Sequence, residues 1–108
     1  MRAVLYQDLA ALACCMVTMP EHTWRTFARR KIRLAHAADL YRRQTGSVHA
    51  CFGDGTLGAA VVGHPQGGEA PLDRGAFGRA MLGALEEILR FREAYPVAHE
   101  TQRGTEGS

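Results

Sequence analysis

The stretch FGRAMLGALEEILRFREAY, from Phe77 to Tyr95, decides the fold. Apolar side chains recur four and three positions apart along it, which is the spacing of one helix face. A second apolar stripe runs beside the first. The pattern predicts a helix over residues 73–94, ended by Pro96, whose apolar face is too wide for one neighbouring helix to cover. We expect this face to mediate self-association through Phe77, Met81, Leu82, Leu85, Ile88, Leu89 and Phe91.

The segments before this helix also have helical spacing. An apolar run predicts a helix over residues 4–18, and a second, longer helix is predicted over residues 21–44, with Thr18 as its cap and Gly46 as its stop. We expect Phe27, Leu34, Ala38 and Tyr41 to line the apolar face of this second helix.

Residues 56–63 predict a short helix, capped by Asp54 or Thr56. The sequence therefore predicts an all-α fold, a small bundle of two long helices, one medium N-terminal helix and one short helix. It forms a single domain over residues 1–95, and we expect the polar residues 96–108 to be a disordered tail.

Length and cysteine content narrow the class of protein. The chain has 108 residues, enough for one domain, and a net charge of +2. Cys14, Cys15 and Cys51 are odd in number, which argues against a disulfide framework and favours the cytoplasm. The N-terminal apolar run is short and is interrupted by Gln7 and Asp8, so we expect a buried helix rather than an export signal or a membrane anchor.

A glycine-rich stretch, GDGTLG from Gly53 to Gly58, matches the spacing of a dinucleotide-binding turn. Such a turn follows a strand and opens a helix within a βαβ unit. Here a long helix is predicted before the stretch and only a short one after it. The sequence therefore favours a tight joint between helices, and we expect no cofactor.

Four side chains in the middle of the chain are candidate metal ligands: His36, Asp39, His49 and Cys51. Their spacing matches no common zinc pattern, and a thiol two residues from a histidine does not by itself make a catalytic dyad. The alternative roles are structural. Asp39 pairs with Arg42 or Arg43, His49 binds loop backbone, and Cys51 fills the core. We expect no bound metal, no catalytic residue and no enzymatic activity.

The second helix carries seven of the thirteen Lys and Arg residues. Arg25, Arg29, Arg33 and Arg43 are predicted to form a stripe opposite its apolar face, suited to binding an anion or a partner. The alternative is a solvated face, partly neutralised by acidic residues of the last helix, namely Glu86, Glu87 and Glu93.

The segment AHAADLYRRQTGSVHACFGDGTLGAA, residues 35–60, resembles small uncharacterised alphaproteobacterial proteins. The resemblance extends over roughly residues 1–60 and includes the opening MRAVLYQDL. It is carried by Ala38, Asp39, Tyr41, Arg42, Gly46, His49, Gly53, Gly55, Thr56 and Leu57. These proteins tend to have Pro-Trp-Gly or Arg-Trp-Gly where this chain has Cys51-Phe52-Gly53. The resemblance implies a bacterial cytoplasmic protein and no mechanism.

The sequence thus predicts a small helical protein–protein interaction module that forms a homodimer or binds a protein partner. The alternative is a small nucleic-acid-associated protein that uses the basic helix, residues 25–43. We expect salt-dependent binding to nucleic acid to separate the second hypothesis from the first.

Overall fold

The computed structural model describes residues 1–96, and within them the predicted all-α bundle is confirmed. A short 3-10 turn, Glu21–Thr23, precedes the second helix. Residues 1–96 contain no β-strand. The four helices are α1 (Tyr6–Met16), α2 (Trp24–Thr45), α3 (Leu57–Ala60) and α4 (Gly75–Ala94). The tail predicted for residues 96–108 lies, apart from Pro96, outside the described residues.

Helix α4 packs against both α1 and α2, and α3 lies on the same two helices. The core therefore has α4 on one side and α3 on another. Small residues allow a close approach along α4, where Ala80, Gly83 and Ala84 are buried. The larger core side chains are Leu12 and Met16 from α1, Trp24, Phe27 and Ile32 from α2, Leu57 from α3, and Phe77, Met81 and Ile88 from α4.

The predicted apolar face of α2 is confirmed at Phe27 and Ala38, which are buried, but the buried face as a whole is turned from the one predicted. Ile32 and Ala35 are buried, whereas Leu34 is half-buried and Tyr41 is exposed. Because α1, α3 and α4 all contact α2, the positions of these three neighbours determine which of its side chains are buried. The arginine stripe therefore flanks the buried face and does not lie opposite it.

The connection between α1 and α2 also differs from the prediction. The hydroxyl of Thr18 donates to the carbonyl oxygen of Cys15 at 2.7 Å, so it closes the end of α1 instead of capping α2. The chain then makes the 3-10 turn before α2 begins. The predicted stop at Gly46 is confirmed, since its φ is +75° and its N–H donates to the carbonyl of Arg42 at 2.8 Å.

The glycine-rich stretch is a close joint against α2, as the sequence favoured. Gly55 has a φ of +95°, and a Cβ there would lie 2.8 Å from Cα and 2.7 Å from Cβ of Asp39. Only a glycine therefore combines the backbone conformation of residue 55 with so close an approach to α2.

Thr56 caps α3 by accepting from the N–H of Ala59 at 3.2 Å, so of the two predicted caps it is Thr56 that serves.

A single carboxylate joins α3 to α1. Asp8, buried in the first turn of α1, accepts from the N–H of Leu5 at 2.9 Å and from the N–H of Gly58 at 3.1 Å. The residue that interrupts the apolar run of α1 thus satisfies two backbone donors, one in each element.

Candidate functional site

The imidazole of His49 has a structural role in the loop after α2. Its Nδ1 accepts from the N–H groups of Cys51 and Phe52, each at 3.0 Å. Its ring stacks on Phe52 with 4.3 Å between centroids, and Tyr41 packs edge-on against it. The prediction that His49 binds loop backbone is confirmed.

Asp39 and His36 meet at the chain's N-terminal amine. The nitrogen of the Met1 amine lies 2.8 Å from Nδ1 of His36 and 3.4 Å from Oδ2 of Asp39. The buried Asp39 carboxylate also pairs with Arg42 and Arg43, each at 3.0 Å, which confirms the predicted pairing. Burial alone would raise the pKa of Asp39, but the hydrogen bond from Arg42 and the surrounding positive charges lower it overall.

Cys51 is exposed, so the expectation that it fills the core is wrong. His49 and Gly53 exchange backbone hydrogen bonds of 3.2 and 3.0 Å, and this closed loop leaves Cys51 on its outer side. Cys14 and Cys15 are buried in α1, and burial raises the pKa of both thiols. Across residues 1–96, no three His, Cys, Asp or Glu side chains converge as a metal site.

The arginines of α2 are engaged by carboxylates of α4. Arg25 lies 3.0 Å from Glu86 and 3.2 Å from Glu87, and Arg29 lies 2.7 Å from Glu87. Arg90, one turn along α4, lies 3.6 Å from the same Glu87 carboxylate. We call these five side chains the Arg–Glu seam. The last helix therefore lies alongside the basic helix and neutralises part of it.

The seam is centred on a buried acid. Glu87 is 4% exposed, and burial alone would raise the pKa of its carboxyl. Hydrogen bonds from Arg29 and Arg25 outweigh burial and lower the pKa overall, so Glu87 is charged at neutral pH. Within residues 1–96, Arg33 has no carboxylate within 4 Å, and Arg43 is paired with Asp39.

The predicted self-association face of α4 divides between the core and the surface. Phe77, Met81 and Ile88 are buried in the bundle, and Phe91 is half-buried. The members of the second stripe are exposed: Leu82 at 61%, Leu85 at 40% and Leu89 at 54%. The wide apolar face is thus covered by two helices of the same chain and still leaves three leucines outside.

The N-terminal end of α1 extends the exposed stripe. Leu5 and Tyr6 are also exposed, and a cavity of about 320 Å³ lies between them and α4, lined in part by Leu9, Leu85 and Leu89. We call the exposed residues Leu5, Tyr6, Leu82, Leu85 and Leu89 the leucine surface.

Charged residues border the leucine surface on the α4 side. Arg79, Glu86 and Glu93 are spaced seven residues apart, so they share one flank of the helix. Arg79 pairs with Glu21 at 3.3 Å, and Glu86 is held by Arg25. Arg79 and Glu86 are thus both paired within the chain, whereas Glu93 has no Lys or Arg of residues 1–96 within 4 Å.

Two acidic residues that organise these sites were named from the sequence, but their burial was not predicted. Glu87 and Asp8 each lie within an apolar run, and a helix with apolar residues on several sides must turn some of its polar residues inward. The position of each acid within an apolar run was therefore the sequence signal for its burial. Which of Glu86 and Glu87 points inward depends on where α2 lies, since adjacent helical residues point 100° apart.

Comparison with known proteins gives a family. Residues 2–88 match a domain of unknown function, DUF7742, so the chain belongs to this family. No curated protein and no solved structure matches the chain. Of the helices in residues 1–96, none combines the length and the apolar character that crossing a bilayer requires.

Proposed function

We propose that this member of the DUF7742 family is a non-catalytic interaction module that pairs with a second copy of itself through the leucine surface. One observation carries the proposal: Leu82, Leu85 and Leu89 stand exposed in line on α4, although α1 and α2 already bury the other apolar stripe of that helix. Exposed leucines in an unbroken helical row are typical of a helix that packs against another helix.

The expected energy points to a weak, reversible dimer. Covering a half-exposed leucine yields about 1 kcal/mol, and each copy offers three on α4 together with Leu5 and Tyr6. Stable interfaces bury about 800 Å² on each partner, which is more than five half-exposed side chains supply. We therefore expect a dissociation constant in the micromolar range.

The spacing of the leucines suits an antiparallel arrangement about a two-fold axis. Leu82 precedes Leu85 by three residues and Leu89 follows it by four. An axis near Leu85 therefore brings Leu82 of one copy beside Leu89 of the other, and Leu85 beside its own equivalent. A two-fold axis makes one self-complementary patch sufficient for both partners.

The bordering charges favour the same arrangement. In an antiparallel pair the same flank of both helices meets, in reversed order. Arg79 lies six residues before Leu85 and Glu93 lies eight after it, so the two are level to within about 3 Å at helical rise. Arg79 of each copy then faces Glu93 of the other and shares its guanidinium between that carboxylate and Glu21 of its own chain. Glu86 near the axis remains paired with Arg25 of its own chain.

Nucleic-acid binding by the basic helix has less support. Arg25 and Arg29 are held by Glu86 and Glu87, and Arg43 is held by Asp39. Any phosphate would have to compete with these carboxylates for the guanidinium groups. We propose that binding to duplex or single-stranded nucleic acid at physiological salt is no tighter than about 10 μM, within the non-specific range. A role in the bacterial cytoplasm is part of the same proposal.

Sedimentation equilibrium tests the dimer. We expect the wild-type chain to shift from monomer to dimer over the micromolar range, and Leu85→Glu to remain a monomer because it places two charges at the axis. Leu40→Glu is the matched control, since Leu40 is 41% exposed on another helix, α2. It should dimerise as the wild type does. A wild-type chain that stays monomeric at high micromolar concentration contradicts the proposal.

The orientation has its own test. Arg79→Glu should weaken the dimer, and the double variant Arg79→Glu with Glu93→Arg should restore it, because the exchanged charges again meet across the axis. A double variant as weak as the single one would exclude the antiparallel arrangement while leaving the dimer itself intact.

A further inference from the structure

A cavity of about 460 Å³ lies between α2 and α4, on a different side of α4 from the leucine surface. Its volume falls within the range of small-molecule sites in proteins. Its walls combine guanidinium groups with aromatic rings. Arg29, Arg33 and Arg90 supply the charge, and Phe91 and Tyr95 supply the apolar wall.

The side chains that line this cavity carry a net positive charge. Three guanidinium groups line it against one carboxylate, that of Glu87, which is already engaged by Arg25 and Arg29. Arg90 reaches Glu87 with one of its terminal nitrogens, at 3.6 Å. Each guanidinium has five N–H donors, so Arg33 and Arg90 both keep donors for an acidic group.

The apolar part of the lining consists of aromatic rings. The rings of Phe91 and Tyr95 lie 5.0 Å apart at an interplanar angle of 30°, and the ring of His36 lies 5.1 Å from Phe91. Nδ1 of His36 faces the Met1 amine at 2.8 Å, so this histidine contributes mainly ring surface to the cavity. Aromatic walls of this kind stack well against planar apolar groups.

We propose that this cavity binds a small organic anion, with a flat apolar body against Phe91 and Tyr95 and its acidic group on Arg33 and Arg90. Both parts of the ligand are required. An inorganic anion leaves the aromatic wall exposed to water, and a neutral aromatic molecule leaves the guanidinium donors without an acceptor. The site does not depend on self-association, because its residues lie outside the leucine surface.

In the test, the full chain is labelled with ¹⁵N and titrated with 2-naphthoate. The chemical shifts of its amide signals report the binding. The matched probes are 2-naphthamide, which has the shape without the charge, and inorganic phosphate, which has charge without an apolar body. We expect saturable sub-millimolar binding of 2-naphthoate, with the largest shifts at His36, Phe91 and Tyr95. Both other probes should bind at least about tenfold more weakly.

Arg33→Gln should weaken 2-naphthoate binding about tenfold or more, the usual effect of losing a charge-assisted hydrogen bond. Arg74→Gln is the control, since Arg74 is an exposed arginine just before the first turn of α4, far from the cavity. It should bind as the wild type does. The proposal is wrong if 2-naphthoate gives no saturable shifts at millimolar concentration, if Arg33→Gln binds equally well, or if the shifts cluster at Leu82, Leu85 and Leu89.

Discussion

Oε1 of Glu87 on α4 lies 2.7 Å from Nε of Arg29 on α2, so a buried carboxylate joins the two long helices. The stability of the fold depends on keeping this pair intact, because removing one member of a buried ion pair leaves the other charge without compensation. The first prediction follows from the contrast between this residue and its neighbour in sequence.

Glu87→Gln should lower the free energy of unfolding by about 1–3 kcal/mol, because Arg25 and Arg29 lose their shared negative partner while the side-chain shape is kept. Glu86→Gln is the control. Its carboxylate pairs with Arg25 but is 43% exposed, so the cost should stay below about 1 kcal/mol. Urea unfolding measures both. Equal costs would show that burial of Glu87 adds nothing to the seam.

The second prediction concerns pH. Burial and the charge of the Met1 amine lower the pKa of His36, with Arg92 and Arg43 acting in the same direction and Asp39 opposing them. In the unfolded chain His36 takes up a proton near its usual pKa of about 6.5, before the folded protein does. Its contribution to stability is therefore present above about pH 6.5 and is lost as the pH falls through the lower folded value.

Urea unfolding between about pH 7 and pH 5 checks this assignment. His36→Asn keeps an acceptor for the Met1 amine and should show a smaller loss of stability across this range than the wild type. Some loss should remain, because burial also lowers the pKa of His64. The exposed His22 provides the control, and His22→Asn should follow the wild-type curve. An unchanged curve for His36→Asn would show that another group titrates.

The third prediction separates two costs of replacing a glycine: the strain of a positive φ and the clash of the added methyl group with its neighbours. Gly63→Ala, at a φ of +91° with open space around it, should cost about 1–2 kcal/mol for the backbone alone. Gly55→Ala has a similar φ and in addition places its methyl group against the backbone of Asp39, so we expect a clearly larger loss. Thermal unfolding of the two variants measures the difference. Equal losses would mean that α2 yields to the methyl group.

The fourth prediction concerns the three thiols. Cys51 should react with a disulfide reagent in the native protein, whereas Cys14 and Cys15 should react only after unfolding, because both are buried and burial raises their pKa. Counting the thiols that react in the fast phase gives the result. Cys51→Ser should remove the fast phase. Fast reaction of a second thiol would show that the first helix opens readily.

The helices were predictable because their signals are local. The spacing from Phe77 to Tyr95 predicts α4, and Gly46 ends α2 where expected. The direction in which each stripe faces was not predictable, since Ile88 and Leu89 are adjacent in sequence and only the position of α1 and α2 decides that one is buried. Periodicity identifies the faces of a helix, but tertiary packing decides which face is buried and which is exposed.

The sites show the same division. The sequence indicated that Glu86, Glu87 and Glu93 would partly neutralise the basic helix. Glu86 and Glu87 pair with Arg25 and Arg29, whereas Glu93 forms no ion pair within residues 1–96. It did not indicate that one acid would be buried, because the depth of Glu87 depends on how closely α2 and α4 approach. The exposure of Cys51 was missed for a similar reason, since the loop closes on itself through His49 and Gly53.

The Arg–Glu seam also limits how α4 can be aligned along α2. Apolar side chains that repeat every three or four residues allow a helix to slide by one turn and still bury a similar face. Such a shift would move Glu87 away from Arg29 and leave a carboxylate in the core without its partner. The seam thereby makes the alternative registers unequal in energy, so that a repetitive helix settles in one alignment.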